Sequence, residues 1–229
     1  EILLVSGAEV YRVEDTIQKI CSSYGFPCES FVLPTGFFIT LKEKDGQILT
    51  LTRRIRQRMV NLQRIEQVND FSRSLGKRLF PYEDAMRILG EIEESGQIRF
   101  IWQLLAAGVL AFAFAILFQG GVGEGITAFF ISMLIFIINK KISRSGLFQF
   151  FELFLSGIVA GAGSLLAVHL FPMLNIYKII IGALIVLLPG VAITNGIKDT
   201  LYGDLTSGLV RLAEAAYMAV ALAAGVGIA

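Results

Sequence analysis

The sequence predicts a membrane protein: an α-helical bundle of five transmembrane helices preceded by a small cytoplasmic α+β domain. Three observations predict it. Hydrophobic residues make up 55% of the 229 and the mean hydropathy is +0.68, too apolar for an ordinary soluble domain. The charges are unevenly spread. Residues 1–99 hold 14 of the 20 Lys and Arg and 14 of the 19 Asp and Glu, which leaves 11 charges for the other 130 residues. Five apolar runs then follow one another, at about 101–118, 126–138, 153–171, 179–197 and 212–229. The expected domains are therefore 1–99 and 100–229.

Within the first domain, Glu1–Gly25 reads as one helix, with Ile2, Val5, Val10, Val13, Ile17 and Ile20 at helical spacing and Gly25 as its stop. Cys28–Leu33 and Gly36–Lys42 carry β-type residues. Lys44-Asp45-Gly46 is a turn signal, and Gln47–Thr52 continues the extended pattern, which predicts a hairpin. Val60–Leu79 and Tyr82–Glu94 return to helical spacing, split by Pro81. Cys21 and Cys28 match no zinc or thioredoxin spacing and read as two reduced thiols, with a lone intramolecular disulfide as the alternative. The chain begins at Glu1 and ends inside an apolar run, so both ends read as trimmed, with no signal peptide in view.

A spanning helix needs about 20 apolar residues. Four of the five runs reach that range; 126–138 is short and must borrow its flanks or serve as an interior helix. The loops set the orientation. Gln119–Gly125 has no Lys or Arg, 139–152 has Lys140, Lys141 and Arg144, Pro172–Lys178 has one lysine, and Lys198–Arg211 has two basic residues. That alternation places the N-terminus in the cytoplasm and the C-terminus outside. Small residues recur at packing spacings: Gly157 and Gly161 in a GxxxG, Ala107, Ala111 and Ala115, and Ala221, Gly225 and Ala229. Together they favour a compact bundle over separate anchors.

Polar groups inside apolar runs are costly and mark candidate sites. The fourth run contains "LPGVAITNGIKD", residues 188–199. Pro189 removes a backbone donor and clashes with the carbonyl of Ile185, and Gly190 loosens the chain beside it. A break there leaves a fresh helix N-terminus, the place where transporters hold polar substrates. One turn on, Thr194, Asn195 and Asp199 offer hydroxyl, amide and carboxylate groups, with Asn195 and Asp199 on one face. The plainer reading is a proline kink with Asp199 and Lys198 marking the interface. Arg211 and Glu214 stand at i,i+3 at the start of the fifth run, either as an ion pair easing a helix end into lipid or as functional groups. His169 near the outer end of the third run is a structural interface residue or a proton relay. In the first domain Glu9 and Arg12 sit at i,i+3 beside Ser6, Gly7 and Ala8; a solvated ion pair is the plainer reading.

No GxSxG, no P-loop and no paired Cys/His spacing is present, and Gly120-Gly121-Val122-Gly123 has the wrong context for a nucleotide fingerprint. No metal or cofactor is expected, and no nucleic-acid partner. The segments "SGAEVYRVEDTI", "VLPTGFFITL" and "LLPGVAITNGIKDTLYGDLTSGLVRLAEA", with five runs between and after them, resemble the threonine/serine exporter family. More closely, they resemble the N-terminal portion of its fused form or the larger subunit of its split form. The resemblance implies export of threonine and serine, or of a dicarboxylate such as succinate, from the bacterial cytoplasm across the inner membrane, driven by the proton gradient. It carries over Gly7, Glu9, Arg12 and Glu14 as a gate in the cytoplasmic domain. It also carries over Pro189, Gly190, Thr194, Asn195, Asp199, Asp204, Arg211 and Glu214 as the substrate path. Independently of the resemblance, Asp199, Glu214 and His169 are the candidate proton relays. The fused form has roughly twice the spans, so a second, smaller membrane subunit or further copies of this chain are expected as partners, besides the bilayer and a small-molecule substrate. The rival reading is a membrane-anchored enzyme or sensor whose chemistry lies in residues 1–100.

Overall fold

The computed structural model describes residues 1–42, 46–56, 58–96, 98–143 and 149–229, without the side chain of Ser143. Lys44 and Asp45 of the expected turn and Arg144 of the basic loop lie outside the described residues. The fold divides into two compact units: 1–97 with 191–213, and 98–190 with 214–229.

The first unit opens with α1 (Ile2–Val5) and α2 (Val10–Ser23). The single helix expected over Glu1–Gly25 is in fact two. After Val5 the chain closes α1 with Gly7 N–H on Leu4 O and Ala8 N–H on Leu3 O. Gly7 takes a φ of 81° to do so, a backbone state that costs any other L-residue dearly. Hydrophobic spacing runs unbroken through this joint because both helices bury the same side. Leu3, Leu4, Val10 and Val13 all enter one core with Val32, Phe37, Ile65, Val68, Phe71, Leu75 and Ile92. Gly25 ends α2 as predicted, at a φ of 75°.

The strands β1 (Cys28–Leu33), β2 (Gly36–Lys42) and β3 (Ile48–Arg54) form an antiparallel sheet in that order. Val32 pairs with Phe37 in register and both face the core. Gly36 is required where the first hairpin turns, since a Cβ there would lie 2.5 Å from Arg53 O. Two helices follow, α3 (Leu62–Leu75) and α4 (Tyr82–Glu94). Asn61 caps α3 by accepting from the Arg64 amide at 3.1 Å. Cys21 and Cys28 are both free thiols. Burial, and then the neighbouring Cys28 thiol, push Cys21 up to about 12.

The second unit contains α5 (Phe100–Leu117), α6 (Val122–Ser143), α7 (Gln149–Leu170) and α8 (Ile176–Leu184), which tightens into a 3-10 turn over Ile185–Leu187. The apolar run 126–138 lies inside the 22-residue α6, whose ends carry Glu124, Lys140 and Lys141. Among the described residues four helices are long and apolar enough to cross a membrane: Phe100–Leu117, Val122–Ile142, Gln149–Leu170 and Leu205–Ile228. A broken pair, Ile176–Leu187 with Gly190–Leu201, passes the same test together, for up to five spans. The last two helices, α9 (Gly190–Leu201) and α10 (Leu205–Ile228), carry residues of both units.

The small-residue stripes are packing surfaces. A Cβ on Gly157 would lie 2.4 Å from Leu222 O, and one on Gly225 would lie 2.1 Å from Phe154 O. The backbones of α7 and α10 touch there, and the first and third stripes of the sequence meet. Gly182 of α8 is equally tight against Ala111 O, at 2.8 Å for an added Cβ. At one end of this unit the buried Glu124 carboxylate joins two turns. Its Oε1 accepts the Asn175 amide at 3.0 Å and its Oε2 the Gly121 amide at 2.9 Å.

Candidate functional site

The site is built around the joint between α1 and α2. Because α1 stops at Val5 and α2 begins only at Val10, the main chain of Gly7, Ala8 and Val10 is left with polar groups that neither helix uses. Glu9 is the residue that precedes α2, in extended conformation, which turns its side chain off the helix.

The second wall is α9. Pro189 cannot donate, and the chain is extended at Leu188 (φ −66°, ψ 136°). Leu188 N–H closes on Ile185 O at 3.3 Å, and Gly190 N–H on Leu188 O at 2.8 Å, after which α9 begins at Gly190. The interruption read from the sequence is therefore a true helix end followed by a new start. Four residues apart, Asn195 and Asp199 share a face of α9 and are 7% and 0% exposed. A turn at Gly203, with a φ of 95°, returns the chain into α10. Asp204 accepts the Ser207 amide at 3.1 Å and so caps α10. The two helices touch backbone to backbone, for a Cβ on Gly196 would sit 3.1 Å from Gly208 O. That proximity brings Arg211, 4% exposed, beside Asp199.

Three buried side chains thereby meet one loop. Asn195 Nδ2 donates to Gly7 O at 2.9 Å, and Arg211 Nη2 donates to Ala8 O at 2.6 Å. The Val10 amide donates to Asp199 Oδ1 at 3.0 Å. Asp199 Oδ2 forms an ion pair with Arg211 Nε at 2.9 Å. Toward the surface, Glu9 is held by two cations: Arg12 Nε at 3.0 Å and Lys198 Nζ at 3.0 Å. Burial raises the Glu9 carboxyl, but its backbone hydrogen bond, the Lys198 hydrogen bond and the Arg12 and Lys198 charges outweigh it and leave it below the usual carboxylate range. Tyr11 stacks on Tyr202, with ring centroids 4.1 Å apart.

Six of the thirteen sequence-predicted groups come together here. Gly7, Glu9 and Arg12 were expected as a gate and Asn195, Asp199 and Arg211 as a path; they form one cluster, with Asp204 a turn away. Glu14 points to β1 instead, accepting the Val32 amide at 3.2 Å. Burial holds its carboxyl above the usual range, against that hydrogen bond, and the Asp204 charge adds to the rise. Thr194 is exposed on α9. Pro189, Gly190, His169 and Glu214 belong to the other unit; His169 is exposed in the last turn of α7. Sequence reasoning missed Lys198 as a partner of Glu9, the main-chain groups of Ala8 and Val10, and Glu124. The i,i+3 spacing of Asn195 and Lys198 was the available signal for the first; main-chain partners leave no signal in residue type. Among the described residues no group of three His, Cys, Asp or Glu is placed to hold a metal ion.

Chemically, the cluster offers a buried guanidinium and a buried amide as donors and a buried carboxylate as acceptor. That set is chemically complementary to a carboxylate on one side and an ammonium or other donor on the other.

The chain is 25% identical over 228 residues to a probable succinate transporter subunit, YjjP, of Klebsiella aerogenes, covering 99% of this chain and 88% of that protein. The Escherichia coli K12 protein of the same name is also 25% identical, over 99% of this chain and 89% of its own length. The threonine/serine exporter of Corynebacterium glutamicum is 24% identical over all of this chain but only 48% of its own length. No solved structure matches. The family model ThrE, which describes threonine/serine exporters, matches residues 1–229. The chain belongs to the threonine/serine exporter family, a family of transporters rather than enzymes.

Proposed function

We propose that this chain is a subunit of a secondary active exporter that moves small polar metabolites out of the bacterial cytoplasm, across the inner membrane. One observation carries the reading. On the helix that restarts after Pro189, Asn195 and Asp199 are buried together with Arg211, and polar main-chain atoms of a single loop satisfy all three. Arg211 and Asn195 suit a substrate carboxylate, and Asp199 suits an ammonium or hydroxyl. The path includes Pro189, Gly190, Thr194, Asp204 and Glu214 along the same stretch, with Gly7, Glu9, Arg12 and Glu14 as the gate. Proton coupling runs through Asp199, Glu214 or His169.

The substrate class is taken from the relatives, whose names point to succinate in one case and to threonine and serine in the other. The word "subunit" in the YjjP name, and the half-length match to the Corynebacterium glutamicum exporter, support a second, smaller membrane subunit as partner. The loop charges support an N-terminus in the cytoplasm and a C-terminus outside. The test is efflux of labelled threonine, serine and succinate from cells expressing this chain with its neighbouring gene product. Export of at least one of them supports the reading. Retention of all three, with an enzymatic activity in residues 1–100, would replace it.

A further inference from the structure

We infer that the loop Gly7–Val10 occupies the place of the transported ligand, so that the exporter carries its own competitive plug. The inference rests on the exporter reading above and adds to it how the site is held closed.

A small amino acid offers carboxylate oxygens as acceptors and an ammonium as donor. The loop offers the same functions in main-chain form: the carbonyls of Gly7 and Ala8 as acceptors, and the amide of Val10 as donor. They meet Asn195, Arg211 and Asp199 at 2.9, 2.6 and 3.0 Å. Side chains that only glue two elements together can take side-chain partners. Here three groups converge on a few consecutive residues of backbone, and the buried ion pair of Asp199 and Arg211 stands at their centre.

Two further features fit a loop that leaves. First, Gly7 has a φ of 81°, so the joint has a residue that passes between backbone states at little steric cost, and α1 before it is only four residues long. Second, hydroxyls flank the cluster without hydrogen-bond partners among the described residues: Ser6, directly before the loop, and Ser207, one turn before Arg211 on the same face of α10. Both residues are 0% exposed. Buried hydroxyls are ordinarily satisfied; these two hold hydrogen-bonding capacity that the loop does not use and a ligand richer in polar atoms would. The outer lock is Glu9, whose carboxylate bridges the half-exposed Arg12 and Lys198. An incoming carboxylate competes for those same cations, which couples ligand arrival to release of the loop.

A site whose competent form is only fractionally populated binds with an apparent affinity reduced by that fraction. Weakening the loop-in state should therefore tighten binding. Gly7→Ala penalises the positive φ without touching Asn195, Asp199 or Arg211, and should raise apparent affinity about five- to thirty-fold.

The decisive experiment is hydrogen exchange on the full chain in lipid nanodiscs, with its companion subunit, with and without saturating L-threonine, L-serine or succinate. For whichever probe the cells export, the Val10 amide should exchange at least about ten-fold faster, because Asp199 has turned to the ligand. Unchanged or slower exchange at Val10 with an exported probe overturns the plug, as does Gly7→Ala weakening binding in a chain that still folds. The two readings fail separately. Full export by an Asp199→Asn, Arg211→Gln double variant removes the site itself. A dead double variant with no faster exchange at Val10 removes only the plug.

Discussion

Asp199 and Arg211 are both almost wholly buried and paired at 2.9 Å. Such a pair contributes little net stability, because desolvation offsets attraction, yet removing one partner strands the other at a cost of about 3–5 kcal/mol. Arg211→Gln alone should lower the thermal midpoint of the solubilised protein accordingly. Asp199→Asn with Arg211→Gln should recover most of that loss, since Asn still accepts from Val10 and no charge is stranded. Glu14 makes a contrasting case. Burial and Asp204 hold its folded pKa above the unfolded value, so the folded state binds the proton more tightly and stability declines as pH rises through that window. Glu14→Gln should therefore stabilise the protein at pH 7 by about 0.5 kcal/mol, a small gain because the side chain keeps much of its water. The gain should vanish in melts below about pH 4.5.

At the scale of elements, α7 and α10 pack closely where Gly157 and Gly225 bring backbones together. Gly225→Leu should still insert, but it should cost at least about 1–3 kcal/mol and separate the two helices, seen as a lower midpoint and easier proteolysis. The stripes were legible because small residues at i,i+4 have few other uses in lipid. The strands were legible too, because Cys28–Leu33 and Gly36–Lys42 concentrate aromatic and β-branched residues. The break in the first helix was hidden: Gly7 looked like one small residue in a helical pattern that the core-facing side keeps on both sides of it. The run 126–138 looked short because charge was used as its boundary, whereas Glu124, Lys140 and Lys141 fit within the ends of α6. The face shared by Asn195 and Asp199 could be counted from spacing. Their partners could not, since 189 residues separate Val10 from Asp199 and a peptide N–H has no signature in sequence.

At the scale of the whole molecule, the uneven charge, the four or up to five candidate spans among the described residues and the family membership agree on a membrane transporter. The first unit combines the charged N-terminal hundred residues with the motif segment 191–213, so the polar cluster belongs to a folded core as well as to the proposed path. That double duty makes single substitutions ambiguous, because a chain that fails to fold also fails to export. The charge-balanced double variant removes the ambiguity. The most direct measurement is efflux of the exported substrate from cells making Asp199→Asn, Arg211→Gln chains, with membrane level and melting midpoint matched to the parent. The account predicts efflux reduced at least about a hundred-fold, the loss expected when the paired groups that bind and release a polar substrate are gone. Efflux at the parental rate from a well-inserted, equally stable double variant would contradict it.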